Sequence, residues 1–229
     1  MHFVLVHGAY HGAWCWERLI PELEAKGHRV TAVDLPIEDP GAGASEYADL
    51  IAGNLDDDGS VVVGHSMMGL AIPLVAQRAA VKRLVFLAGF VPEPGSSFNQ
   101  VRGREKVETP RKLQRAQFTD IGDGVWTIGP DTAKELFFHD ADPELVAWAV
   151  QRLRPQSYRI MSEPTPLVAW PDVGCSYVLC RSDRAVNPEW ARTVARERFG
   201  SDALELDGGH SPFLTRPTEL ADLLHQVST

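Results

Sequence analysis

The chain has 229 residues, 44% hydrophobic and 23% charged, which supplies the core of one large domain or of a domain with a modest insertion. Its net charge of −9 argues against a nucleic-acid-binding surface and against an anionic membrane surface. Three cysteines, Cys15, Cys175 and Cys180, are too sparse and of odd number for a disulfide framework, no CxxC or His/Cys metal spacing occurs, and no apolar run is long enough to span a membrane.

The first apolar run, 3–6, begins almost at the first residue, so no signal peptide is expected and the cytoplasm is the default location. It leads into His7-Gly8-Ala9-Tyr10-His11-Gly12-Ala13-Trp14, ahead of a helical pattern over 16–26 that Gly27 stops. Backbone N–H groups in such a turn stabilise an oxyanion without reorganising, and Ala9 is the expected donor, with Tyr10 next. His7 and His11 have the i, i+4 spacing of a metal pair, but they occupy a turn and no carboxylate accompanies them. Cys15 reads as a buried small hydrophobe. Trp14 and Trp16 are expected to pack beneath the first helix.

A second run, 29–33, precedes a helical pattern over 44–55 with Ser45 as its N-cap. The third run, 60–63, passes into Gly64-His65-Ser66-Met67-Met68-Gly69 and a helical pattern over 67–78. A strand entering Gly-x-Ser and leaving as a helix is a nucleophile elbow, which makes Ser66 the expected nucleophile and the Met67 N–H the second oxyanion donor. Met68 stands where a second glycine is usual, and Gly69 follows one place late. Either the turn shifts or the Met68 side chain finds a different path.

After a fourth run, 83–88, the segment 92–171 breaks the rhythm with charge, proline and tryptophan. It is expected to be a cap inserted over the C-terminal edge of a sheet, with 1–91 and 172–229 as the core. Its polar part, 95–115, is expected to be mobile, and 143–153 helical. Trp126, Trp148 and Trp170, with Phe137 and Phe138, are candidates to wall an apolar pocket, although packing of cap on core explains any one of them as readily.

The fifth run, 176–180, ends in Arg181-Ser182-Asp183-Arg184, and Asp183 is the expected acid that orients an imidazole. Glu93 is a substitute acid, Asp172 and Asp207 read as loop acids, and an ion pair with Arg181 or Arg184 is the competing role for Asp183. A helical pattern over 188–199 follows, begun by Pro188 and stopped by Gly200. The sixth run, 203–206, ends in Gly208-Gly209-His210, and His210 is the expected general base. His2 and His28 adjoin strand starts, His225 falls in a terminal helix over 218–227, His139 lies in the cap, and His65 is expected to point away from the serine. Runs that are continuously apolar suit strands buried on both faces, and their alternation with helices implies a doubly wound, mostly parallel α/β sheet.

These motifs together resemble the plant-type hydroxynitrile lyase and methyl-esterase family of α/β hydrolases, especially its bacterial members. The most specific match is His7 to Trp14. Trp148, Leu153, Gln156 and Pro164, the turn at Asp183-Arg184-Ala185 and the end at Gly208-Gly209-His210 extend it over nearly the whole chain. The resemblance implies an α/β-hydrolase fold with a small helical cap, a Ser66–Asp183–His210 triad, and neither cofactor nor metal. The family holds esterases and C–C lyases on one scaffold. Its lyases carry a lysine directly after the catalytic histidine and a threonine after the first-strand histidine. Ser211 and Gly8 stand there, and both point to an esterase of small or aromatic carboxylic esters that works through an acyl-enzyme. No other lysine obviously replaces the missing charge, though Lys82, Lys106, Lys112 and Lys134 exist. A small-molecule ester is the expected partner, with oligomeric state open and a homodimer among the options. The rival readings are a lyase using the same triad and a catalytically silent ligand-binding protein whose elbow Met68 distorts.

Overall fold

The computed structural model describes residues 1–109 and 117–228. Among them are strands β1 (His2–Val6), β2 (Arg29–Val33), β3 (Ser60–His65), β4 (Val81–Leu87), β5 (Phe118–Gly122), β6 (Val125–Ile128), β7 (Gln156–Ser157), β8 (Gly174–Cys180) and β9 (Leu204–Leu206). Six of these form one sheet in the order β2-β1-β3-β4-β8-β9, with every neighbouring pair parallel. This is the doubly wound α/β sheet that the apolar runs imply.

Strand periodicity explains why those runs do not alternate with polar residues. Val4, Val62, Leu84, Phe86 and Leu179 face one buried layer, whereas Phe3, Leu5, Val61, Val63, Val85 and Val178 face the other. Successive side chains point to opposite faces, and both faces of the central strands β1 and β3 are covered, so apolar residues occupy both sets of positions there.

The helices are α1 (Leu19–Ala25), α2 (Ala44–Ala52), α3 (Ile72–Val75), α4 (Phe98–Arg104), α5 (Pro130–Phe137), α6 (Pro143–Val150), α7 (Arg159–Ser162), α8 (Pro188–Phe199), α9 (Pro212–Thr215) and α10 (Pro217–Ser228). Residues of α2 and α8 join the first layer, and residues of α1 and α10 the second. The termini of α8 follow the sequence signals. Asn187 Oδ1 accepts from the Glu189 N–H at 3.0 Å, and Gly200 ends the helix with φ +67°.

Other expectations need correction. The helix expected over 67–78 is a 3-10 turn, Ser66–Leu70, followed by α3, because Pro73 lacks an N–H and fits only a first turn. The helix expected over 16–26 divides in the same way, into a 3-10 turn at Ala13–Trp16 and then α1, which holds Pro21 in its first turn. Ser45 is not the N-cap of α2. Gly43 is, its N–H donating to Glu46 Oε2 at 2.8 Å while the Ala44 N–H donates to Glu163 Oε1 at 2.8 Å. Trp14 packs edge-on against Trp148 of α6 at 5.2 Å, and only Trp16 lies in the core, against Phe213 at 4.7 Å.

Between β4 and β8 the chain forms α4 to α7 and a small antiparallel sheet, β5-β6-β7. Helix α4 orders part of the stretch expected to be mobile. Ser97 Oγ accepts from the Gln100 N–H at 3.4 Å, Gln100 Oε1 accepts from the Ser97 N–H at 2.9 Å, and Phe98 and Val101 are buried. The rest of that stretch from 110 to 115, Lys112 included, lies outside the described residues. Backbone bonds tie the segment to the core, among them Thr109 N–H to Ala185 O at 3.2 Å and Asn187 N–H to Val107 O at 2.8 Å. Arg154 N–H donates to Tyr10 O at 2.8 Å, and Ser157 N–H donates to Ile37 O at 2.7 Å. Among the described residues, no helix is long and apolar enough to cross a membrane.

Candidate active site

The strands β1, β3, β8 and β9 all deliver loops to one edge of the sheet, their C-terminal edge, where open α/β sheets bind ligands. At the end of β3 the backbone of Ser66 is held at φ +52°, a conformation an L-residue adopts only when its surroundings impose it. The surroundings are identifiable. A Cβ on Gly64 would meet Ile72 Cγ2 at 2.7 Å, and one on Gly69 would meet Phe90 O at 2.1 Å. The chain therefore needs glycine at both places. Phe90 N–H in turn donates to Ser66 O at 2.9 Å. Met68 does not disturb this turn, because its side chain is fully buried in the core layer.

Ser66, His210 and Asp183 come together there. Ser66 Oγ lies 3.0 Å from His210 Nε2, and His210 Nδ1 lies 2.9 Å from Asp183 Oδ2. Asp183 Oδ1 accepts from the N–H groups of Ala185 at 2.7 Å and Val186 at 2.9 Å, so both carboxylate oxygens are occupied and the group is fixed. Hence Nδ1 carries the proton that reaches Asp183, and Nε2 is the acceptor facing the serine. A hydroxyl bonded to an imidazole that a carboxylate orients has the geometry of a base-activated nucleophile. The competing ion-pair role for Asp183 does not occur. Arg181 pairs with Glu205 and Asp207, and Arg184 pairs with Glu135. Glu93 pairs with Arg104 instead of reaching the site.

Ala9 and Met67 both line a cavity of about 780 Å³ that opens over Ser66. The Ala9 N–H enters no loop or turn hydrogen bond among the described residues. Of the aromatic candidates, Trp126 and Phe137 line the cavity. Phe137 also stacks on His210, with centroids 5.5 Å apart. Trp148 and Trp170 instead pack against Trp14 and against Phe86 and Phe199, and Phe138 is buried near His11. Among the described residues, Arg102 and Arg184 line the cavity, and each is held by a carboxylate, Glu108 and Glu135.

Histidines surround the base more closely than their spacing suggests. His65 is fully buried and its Nε2 donates to His210 O at 3.0 Å, so it braces the loop of His210. His7 Nδ1 donates to Gly8 O at 3.0 Å, and His7 Nε2 accepts from the Leu35 N–H at 3.1 Å. His11 Nδ1 donates to Ala9 O at 2.7 Å, which holds the turn carrying the Ala9 N–H. Burial disfavours charge on all three imidazoles. It pushes His7 down to about 4 and His11 to about 3, and it takes His65 well below the ordinary value. The first-strand histidines are thus neutral struts.

A second support escaped the sequence reading. Asp140 Oδ2, from the segment between β4 and β8, accepts from the Gly209 N–H at 2.8 Å and from Thr215 Oγ at 3.1 Å. A Cβ on Gly209 would lie 2.6 Å from Asp140 Oδ1, so glycine lets the carboxylate approach the residue before the base. The contact spans 69 residues, and the only local signal was an unexplained Gly-Gly ahead of His210.

Comparison with known proteins places these features in context. Residues 3–223 match the profile described as the alpha/beta hydrolase family. Methylesterase 3 of Arabidopsis thaliana is 29% identical over 251 residues, covering 99% of this chain and 95% of that protein. Alpha-hydroxynitrile lyase of the same plant is 31% identical over 251 residues, covering 100% of this chain and 97% of that protein. The crystal structure of a polyneuridine aldehyde esterase mutant superposes with a TM-score of 0.84 at 25% identity, covering 100% of this chain and 99% of that one.

Proposed function

The chain belongs to the alpha/beta hydrolase family, and from that premise we propose that it hydrolyses small or aromatic carboxylic esters through an acyl-enzyme on Ser66. The observation that carries this reading is the unbroken relay from Ser66 Oγ through His210 to Asp183 beneath an open cavity. Ser66 attacks the ester carbonyl while His210 Nε2 takes its proton. The N–H groups of Ala9 and Met67 hold the oxyanion, and each such donor contributes roughly 100–1,000-fold in rate. His210 then protonates the leaving alcohol, and water repeats the cycle on the acyl-enzyme. The segment 92–171 serves as the cap, its Trp126 and Phe137 walling the cavity and its Asp140 steadying the base.

Two positions favour ester hydrolysis over the lyase reaction of the resembling enzymes. A Cβ at position 8 would meet His65 Nδ1 at 2.6 Å and Ser66 Cβ at 2.9 Å, so the lyases' threonine has no room beside Gly8. Ser211 is fully buried, and Lys82, Lys106 and Lys134 are exposed and away from the cavity, so none of these offers a cation to a departing cyanide.

A panel of para-nitrophenyl esters of graded acyl size, assayed with wild type and Ser66→Ala, tests the proposal. Hydrolysis that falls on the order of 10,000-fold or more in the variant, with an acyl adduct on Ser66 detected by mass, is expected. Equal rates in the two proteins, or cyanohydrin cleavage with no adduct, would reverse it.

A further inference from the structure

Tyr10 occupies the oxyanion turn with φ +64° and is buried, 1% exposed. Among the described residues its hydroxyl has one partner, the hydroxyl of Tyr158 at 2.9 Å, reached across 148 residues. Tyr158 lines the cavity over Ser66. Burial raises both phenols above their ordinary value, so both are neutral O–H groups.

Either oxygen of such a pair can be the donor, but the two choices are unequal. If Tyr158 donated, the Tyr10 proton would be buried without an acceptor, which is costly. If Tyr10 donates, its proton is satisfied and the Tyr158 proton is free to point into the cavity. The second arrangement also polarises Tyr158, since an O–H whose oxygen accepts a hydrogen bond becomes a better donor.

Among the described residues of the wall around Tyr158, Asn99 is a polar group at the exposed rim, and the other candidates are engaged elsewhere. Trp126 stands edge-on to it at 6.3 Å. Arg102 and Arg184 are engaged by carboxylates, and Thr109 Oγ donates to Asp183 O at 2.9 Å. Because Tyr10 directly follows Ala9, the Tyr158 hydroxyl is anchored to the turn that presents the Ala9 N–H.

We propose that Tyr158, oriented by Tyr10, donates a hydrogen bond to a second acceptor oxygen of the substrate, so that the site selects esters bearing a keto, hydroxy or alkoxy oxygen besides the scissile group. This rests on the esterase reading for its kinetics but not for its binding.

Matched esters that exchange one methylene for oxygen test it on each side of the bond. These are para-nitrophenyl methoxyacetate against the butanoate, and methoxyethyl benzoate against butyl benzoate. Intrinsic reactivity cancels when the oxygen-to-methylene ratio of kcat/KM is compared between wild type and Tyr158→Phe. The ratio is expected to fall about 3–10-fold on at least one side, the worth of one hydrogen bond. The double variant Tyr10→Phe/Tyr158→Phe leaves no hydroxyl stranded and is expected to show the same fall. Calorimetry of the same pairs on Ser66→Ala and Ser66→Ala/Tyr158→Phe reads the preference without turnover. An unchanged ratio on both sides, together with equal calorimetric preference, overturns the assignment. If wild type cleaves no ester, the esterase reading fails, and the calorimetric comparison alone decides the role of Tyr158.

Discussion

Lowering the pH from 7 to 5 is expected to remove much of the protein's stability, through His7, His11 and His65. All three are at most 1% exposed and neutral in the folded chain, whereas in the unfolded chain each titrates near 6.5. Below that value the unfolded state binds protons that the folded state refuses. The free energy of unfolding therefore rises with pH across this window and falls as acid is added. Each imidazole contributes about 1.4 kcal/mol per pH unit, so three lose about 4 kcal/mol per unit and about 6 kcal/mol by pH 5. That is comparable with the whole stability of an ordinary domain, about 5–15 kcal/mol. His2 and His28 are shifted down by burial as well and act in the same direction. The depressed carboxylates Glu46, Glu93 and Glu205 also weaken the fold in acid, but only as pH falls below their unfolded values, so the interval from pH 6.5 to 5 belongs to the imidazoles. Urea unfolding at half-unit steps measures the slope directly. A slope equivalent to less than one proton between pH 6 and 5 would refute the neutral-strut account.

Asp183→Asn is expected to lower kcat about 10,000-fold with little change in Tm, because the amide still accepts from the Ala185 and Val186 N–H groups but presents the wrong partner to His210 Nδ1. Gly69→Ala must displace the Phe90 carbonyl, and with it the N–H that holds Ser66 O, so a loss of at least about 1–3 kcal/mol is expected in chemical unfolding. Gly8→Thr is expected to lower both Tm and ester turnover, and retention of wild-type kcat would show that His65 and Ser66 can yield. Asp140→Ala is expected to cost about 1.5–3 kcal/mol through the lost bonds to Gly209 and Thr215, and to lower kcat more than it raises KM.

What was legible in the sequence had short-range causes. Ser66, Asp183 and His210 each follow an apolar run directly, and a strand end with a small or polar turn is readable within about ten residues. The central parallel strands were legible for the same reason, since β1 and β3 are buried at every position. The sheet β5-β6-β7 was not. Its strand β5 is exposed along its length and so carries no apolar pattern, and β7 has two residues that pair with β6 some thirty residues earlier. What the His65 side chain bonds to, the carbonyl of His210, lies 145 residues on. The partners of Tyr158 and Asp140 are also remote in sequence, 148 and 69 residues away. Met68 looked like a fault in a local pattern because the pattern does not record that Gly69 meets the Phe90 carbonyl while position 68 faces the core.

The bond from Asp140 to Gly209 has a consequence for exchanging parts between relatives. The proposed cap, 92–171, invites transplantation, because Trp126 and Phe137 within it wall the cavity. The same segment also clamps the loop of His210, through the Asp140 carboxylate that Thr215 shares. A chimera that imports a foreign cover would redesign the chamber and unfasten the base in one stroke. To keep turnover, a graft must bring an acceptor to position 140 and preserve the glycine at 209, so recognition and rate are inherited together in this chain.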